Sequence, residues 1–337
     1  PSEPERLDTS MQKRDFLKQS AALGLSLGCG ALRAESAWPS RPLRLVVPFA
    51  PGGSSEIVAR AVAGEMGKGL GQSVFVDNKP GAAGNIAMDA LLKSTPESGA
   101  LGMLGNLQVT MNPHVAPLAL KGADPLRDLV PVIGLADMIL MLAVTAPTGI
   151  KTLEQCLSRA REQGPNFRIG IAGIGAPHHL AVLLLQKNAE LNMTLVPYKG
   201  GPPMMADAAG GHLDAVITTL PVGGPMVAAG KLTWIATVPA TPIPSLPGLP
   251  SLSQVLKGET VPTGNGVFAP PGTSAAAAQE LHLALRRQLE NPTIIAKLRA
   301  NGLEPLQGSR QDFADKLRAE SAYMKDFLAK VKIDFST

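Results

Sequence analysis

Four times in this chain an apolar run of strand length ends in a turn rich in glycine or proline and opens directly into a helical stretch, near Gly52, Gly81, Gly175 and Gly201. Short apolar runs alternating with helical periods are the pattern of an α/β fold. The first instance is the clearest. Residues 43–49 form the run, Pro51-Gly52-Gly53 breaks it, and Ser54 or Ser55 can cap a helix whose apolar face starts at Ile57, Val58 and Ala61. Such a turn leaves the first backbone N–H groups of its helix unpaired, with the positive end of the helix dipole behind them, and this suits an anion. Taken singly, each is an ordinary strand-to-helix connection. Two lie in each half of the chain, however, and ligands of open α/β sheets gather at the carboxyl ends of the strands. Two such halves facing one another make a cleft lined by main-chain donors, a receptor for a small anion.

In chain order the pattern predicts a second strand over 73–77, a glycine-rich turn over 78–85 and a helix over 86–92. A weaker strand over 101–104 follows, then an irregular section marked by Asn112-Pro113 and Asp124-Pro125. The continuous apolar strand 139–144 is the predicted crossing between domains, because the alternation restarts beyond it. Helix 153–161 precedes strand 168–172, helix 178–189, strand 194–197, helix 204–209 and strand 215–220. The proline-rich stretch 239–250 reads as surface loop. Strand 266–270 then returns, followed by helices 275–290 and 293–301 and a last amphipathic helix in which Phe313, Leu317, Tyr323, Met324 and Phe327 form a core-facing stripe. The domain organisation read from this pattern is 38–140 with 264–337 as the first domain and 141–263 as the second.

Composition narrows the class. The chain has 337 residues, enough for about two domains, and its 45% apolar and 17% charged content fits a folded protein rather than a disordered one. Net charge is +4, with basic residues scattered and no basic stripe interleaved with aromatics, so no nucleic-acid partner is expected. The amino terminus carries a basic start at Lys13-Arg14, a short apolar segment over 21–32 and small residues near Ala34 and Ala37. That is the layout of a cleavable export signal over 1–37, with Met11 as a plausible start and residues 1–10 as an upstream extension. Lys13-Arg14 followed by Phe16-Leu17-Lys18 resembles a twin-arginine signal with Lys in the first place, which leaves the Sec route open. Cys29 lies in an imperfect lipoprotein-like sequence, and lipid attachment is not the favoured reading. If cleavage falls after Cys29, only Cys156 remains, spaced as a core position of its helix, and no internal disulfide is expected.

Reactive chemistry finds little support. The five histidines stand in no metal-ligand spacing, no cysteine pair backs a zinc site, and there is no G-x-S-x-G elbow. Gly230-Lys231-Leu232 lacks the hydroxyl residue of a P-loop, and residues 170–175 have the wrong glycine spacing for a dinucleotide fingerprint. No catalytic residue, metal or cofactor is predicted. His178 and His179 start a helix, where a solvent-facing pair and a cleft role are both open.

Many ordered short matches, each weak alone, now converge. They include Val47-Pro48-Phe49-Ala50-Pro51-Gly52-Gly53-Ser54, the run Asp77 to Ile86, Gly173-Ile174-Gly175 with His179-Leu180-Ala181, Val196-Pro197-Tyr198-Lys199-Gly200, Gly211-His212-Leu213-Asp214, Leu220-Pro221 and Ala269-Pro270-Pro271-Gly272-Thr273. In these the chain from Trp38 onward resembles the Bug family, periplasmic substrate-binding receptors of tripartite tricarboxylate transporters. The resemblance implies a monomeric, two-lobed periplasmic binding protein of type II, a Venus flytrap whose cleft between two α/β domains closes on a small carboxylate. It implies delivery to membrane transporter subunits; the alternative is a periplasmic sensor that presents its closed form to a signalling partner. It also assigns the ligand site. The first domain would hold a proximal carboxylate, partly through waters, at Phe49, Ala50, Gly53, Ser54, Ser55, Gly84 and Asn85. The second would hold the remainder at Gly173, Gly175, Ala176, His179, Tyr198, Thr218, Leu220 and Pro221.

The departures from the family pattern fall where selectivity belongs. Glu56 stands where Asp is usual, Ala176 where a hydroxyl residue is usual, and Thr218 where Asp is usual. Gly264 and Asn265 replace aromatics. Fewer polar contacts from the second lobe predict a ligand whose distal end is smaller or less polar than that of a tricarboxylate.

Overall fold

The computed structural model describes residues 39, 41–51, 54–115, 120, 122–239, 246–300 and 302–330, with the backbone alone at 54, 55 and 57. The export-signal readings, Cys29, Gly52, Gly53 and much of the proline-rich loop lie outside these residues. From Arg41 onward the chain forms one compact unit holding two mixed sheets.

The first sheet contains β1 (Leu43–Val47), in which Leu43, Leu45, Val46 and Val47 are buried and Arg44 alone is polar, as suits a parallel strand flanked on both sides. It pairs in parallel with β2 (Val74–Asn78) on one side and β3 (Ala100–Gly105) on the other. Helix α1 (Ser54–Leu70) leaves β1, and α2 (Asn85–Leu92) follows β2. Beyond β3 the sheet continues antiparallel through β10 (Gly264–Ala269), β4 (Val130–Met138) and β11 (Leu303–Pro305).

The second sheet repeats the plan. Its strand β6 (Arg168–Ile171) pairs in parallel with β7 (Thr194–Pro197) and β8 (Ala215–Thr219). β5 (Leu140–Thr145) then runs antiparallel beside β8, and β9 (Leu232–Thr237) antiparallel beside β5. Its helices are α3 (Leu153–Gln163), α4 (Pro177–Ala189), α5 (Gly201–Ala209) and α6 (Leu220–Ala228). Cys156 is buried in the core beside α3, and burial pushes its thiol up to about 12, a structural rather than a reactive position. Helices α7 (Ala275–Leu289), α8 (Pro292–Ala300) and α9 (Arg310–Lys330) complete the chain. Thr152 and Ser274 cap α3 and α7 through their hydroxyls, accepting from Gln155 and Ala277 N–H.

The structure adds strands in places the sequence pattern left blank. Most of the section read as irregular after Asp124-Pro125 is β4, whose alternation is interrupted by Pro131 and Gly134. Gly134 has a packing reason: a Cβ there would lie 2.9 Å from the Phe313 ring, and one on Gly266 of the neighbouring strand 2.1 Å from it. The two glycines make room for Phe313, whose ring stacks at a tilt on Phe268, 5.5 Å between centroids. β9 and β11 were also unassigned from sequence, and the predicted strand 139–144 is β5 from Leu140 on, with Ile139 the link where the chain leaves one sheet for the other. It crosses back between β9 and β10.

The stripe on α9 spans both cores. Phe313 and Leu317 pack with Val46, Leu104 and Phe268. Met324 and Phe327 pack with Leu140, Leu180 and Leu184 in the core under the second sheet.

Candidate functional site

Three parallel strands in each sheet point their carboxyl ends at one shared cavity of about 800 Å³. From the first sheet the wall takes Pro48–Pro51 after β1, Pro80–Gly84 after β2, and Gly105, Leu107 and Gln108 after β3. From the second it takes Ala172–His178 after β6, Tyr198–Pro203 after β7, and Thr218 and Val222 around the end of β8. Met138 and Asn265 close it near the crossing between the sheets. Among the predicted site residues, Phe49, Ala50, Gly84, Gly173, Gly175, Ala176, Tyr198 and Thr218 are therefore brought together. Ser54 and Ser55 open α1.

The first-sheet wall is held by its own polar network. The Asn78 amide donates to the Phe49 carbonyl at 2.8 Å, pinning the loop after β1 to the end of β2. The tight turn Ala82–Gly84 places Ala82 (φ +47°) and Ala83 (φ +52°) in the left-handed region, which costs alanine about 1–2 kcal/mol per residue. Strain of that kind persists where the surroundings over-determine it, commonly at ligand clamps. Here Asn112 does so, donating from its amide to the Ala83 carbonyl at 3.0 Å and to the Asn85 side-chain oxygen at 2.9 Å. Gln108 supports the same turn from below. Its oxygen accepts from Gly105 N–H at 2.9 Å, and a Cβ on Gly84 (φ +92°) would fall 2.2 Å from its amide nitrogen.

In the second-sheet wall, Ala176 occupies the N-cap position of α4 in extended geometry and offers no side-chain cap. Gly175 N–H donates to His179 Nδ1 at 3.1 Å, so that ring nitrogen carries no proton. Burial pushes both His178 and His179 down to about 4, so both are neutral at pH 7. His178 Nδ1 is buried without a partner. The Tyr198 hydroxyl donates to Asp207 at 2.7 Å; burial, reinforced by that carboxylate, pushes it up to about 12. The two walls meet closely at one point: a Cβ on Gly175 would lie 3.4 Å from the Ala83 Cβ.

Among the predicted contact residues whose side chains are described, four are not in the wall, and each has a physical reason. Asn85 is buried behind the turn, held by Asn112. His179 sits behind Gly175 as the acceptor of its N–H, while His178 lines the cavity instead. Leu220 and Pro221 start α6 at the junction between the sheets, where a Cβ on Gly302 (φ +68°) would be 3.0 Å from the Leu220 Cβ; Val222 lines the cavity in their stead. Gln108 and Met138 were missed. Gln108 follows Gly105 by three residues at a strand end, a capping spacing that could have marked it. Met138 belongs to the unassigned β4.

Electrostatically the wall is sparse. Among the described lining residues only Lys199 is ionised, and its side chain is exposed. Among the described residues no cluster of His, Cys, Asp and Glu converges as metal ligands would, and no helix is long and apolar enough to cross a membrane.

Residues 58–333 match the family model for the tripartite tricarboxylate transporter family receptor. The chain belongs to that family. A UPF0065 protein in the gbd 5′ region of Cupriavidus necator is 31% identical over 310 residues, covering 90% of this chain and 93% of the relative. BugT of Bordetella pertussis is 26% identical over 323 residues, covering 93% and 98%. A Rhodopseudomonas palustris protein solved with adipate superposes with a TM-score of 0.80 at 30% identity, covering 87% of this chain and 97% of the other. The receptor family and the two-lobed periplasmic-binding architecture expected from the sequence are thus those of the chain.

Proposed function

We propose that this receptor is exported to the periplasm, captures a small organic acid between its two sheets and hands it to a tripartite tricarboxylate-type transporter. The observation that carries the reading is the convergence of six strand ends, mostly glycine, proline and alanine turns, on one cavity. The glycine and alanine positions of such turns present main-chain N–H groups, and a buried carboxylate requires donors of that kind. The adipate-bound neighbour from Rhodopseudomonas palustris supports a carboxylate as the ligand. On this reading Phe49, Ala50, Gly53, Ser54, Ser55 and Gly84 hold the acid group. Gly173, Gly175, Ala176, Tyr198 and Thr218 face the remainder, while Asn85 and His179 brace the two turns. The lobes are 38–140 with 264–337, and 141–263. Residues 1–37 are removed as a signal peptide. Binding shifts an open–closed equilibrium about the crossings at Ile139 and between β9 and β10, and the closed form docks on the transporter.

A thermal-shift screen of organic acids on the purified protein tests capture, since a ligand at one hundred times its Kd stabilises the native state by about 2.7 kcal/mol. At least one carboxylate should raise the melting temperature saturably; none doing so in a broad panel would end the reading. Uptake of that labelled acid by cells holding the transporter's membrane subunits, with and without the receptor, tests delivery.

A further inference from the structure

The second-sheet wall is poor in groups able to hold a second charge. Helices α4 and α5 start at two of its strand ends, and three of their six first-turn positions are prolines that line the cavity: Pro177 in α4, and Pro202 and Pro203 in α5. Proline has no N–H, so these helix starts keep their dipole but lose donors that an anion would use. The side chains add no charge to match a second acid group. Ala176 has no hydroxyl, the Tyr198 hydroxyl is committed to Asp207, and the polar groups that remain, the Thr218 hydroxyl and the neutral His178 ring, are uncharged. Lys199 is exposed, where an ammonium steers an anion more than it holds one. What this wall offers in quantity is apolar surface: Ala172, Ile174, Pro177, Pro197, Pro202 and Val222. A second carboxylate pressed against it would lose its water and meet no matching charge within the wall.

Resting on the carboxylate-receptor reading, we infer that the preferred ligand is a monocarboxylate: one acid group on the first-sheet turns and an uncharged, apolar body against the second. Dicarboxylates of the same length are discriminated against because their distal charge meets proline.

Calorimetric titration of the full chain with two matched pairs, hexanoate against adipate and benzoate against terephthalate, tests this. The monocarboxylate should bind at least tenfold more tightly than its partner in each pair that binds. Any smaller ratio, or a preference for the dicarboxylate, overturns the inference while leaving the receptor reading intact. Absence of heat with every mono- and dicarboxylate overturns the receptor reading itself. Two variants check the location of the distal end. Ala176→Arg, with folding verified by circular dichroism, should raise the affinity for adipate at least tenfold relative to hexanoate; an unchanged adipate-to-hexanoate ratio overturns the placement. Lys199→Gln should weaken both members of a pair alike. A loss confined to adipate would mean that the ammonium grips a second acid group, contrary to the inference.

Discussion

At Gly84 two constraints meet: a left-handed backbone and the Gln108 amide where a side chain would begin. Gly84→Ala should therefore cost about 1–2 kcal/mol from the backbone alone. The larger effect is local, because Gln108 has a flexible end and can swing aside, releasing the Gly105 N–H it holds. Chemical denaturation should report a folded protein with that modest loss, and titration should report ligand affinity reduced at least tenfold. Unchanged affinity would place the acid group elsewhere. Ala176→Ser has the opposite sign. The N-cap backbone already has the required extended geometry, so a serine hydroxyl can accept from the first turn of α4 and should add about 0.5–2 kcal/mol. Thermal melts of this single variant suffice to check it. The family resemblance pointed to Gly84 and Ala176, both of which line the cavity, whereas the Gln108 contact to Gly84 depends on a residue 24 positions away in the chain.

Among the elements, α9 is the one whose role its sequence only half reveals. The period of Phe313, Leu317, Met324 and Phe327 marks a buried face. Nothing in that period says that the first two residues enter one core and the last two the other. The division follows from helix length: about 1.5 Å per residue carries 21 residues across roughly 30 Å, enough to reach from one sheet to the next. Phe327 also sits under the Lys187 ammonium at 5.5 Å from its ring centroid. Phe327→Ala should cost about 3–5 kcal/mol, read as a lowered denaturation midpoint at unchanged slope. A loss below 1 kcal/mol would mean that the end of α9 contributes little to the second core. β4 escaped sequence reading for the complementary reason: Gly134, which breaks its pattern, is there to admit the Phe313 ring from α9.

For the whole molecule, the buried titrating groups give stability a dependence on pH that follows from their signs. His178 and His179 fall from 6.5 to about 4 on folding through desolvation, so the unfolded chain binds more protons between those values. Their contribution is complete above pH 6.5 and is lost as pH falls towards 4. Glu320 on α9 moves the other way, pushed up to about 7 by burial, with Asp137 adding to the shift and Lys316 and the Asn106 amide opposing it. It favours folding below pH 4.5 and loses that advantage as pH rises through 7. Glu320→Gln keeps an acceptor for Asn106 and removes the charge. The variant should be more stable at pH 8 by at most about 3 kcal/mol and indistinguishable from the parent at pH 4. Thermal melts across that range would decide it, and a destabilised variant at pH 8 would show that the ion pair with Lys316 outweighs burial. The local physics of the chain was enough to determine the alternation of strand and helix and the glycine bends at strand ends, because each depends on residues within a few positions of one another; the family followed from the resemblance of many short segments in order. The tertiary structure alone decided which of those residues face the cavity and which stand behind it, how β4 joins the sheet, and how α9 ties two cores together. Those outcomes are set by contacts between segments far apart in the chain, where packing and the pairing of buried polar groups override any local pattern.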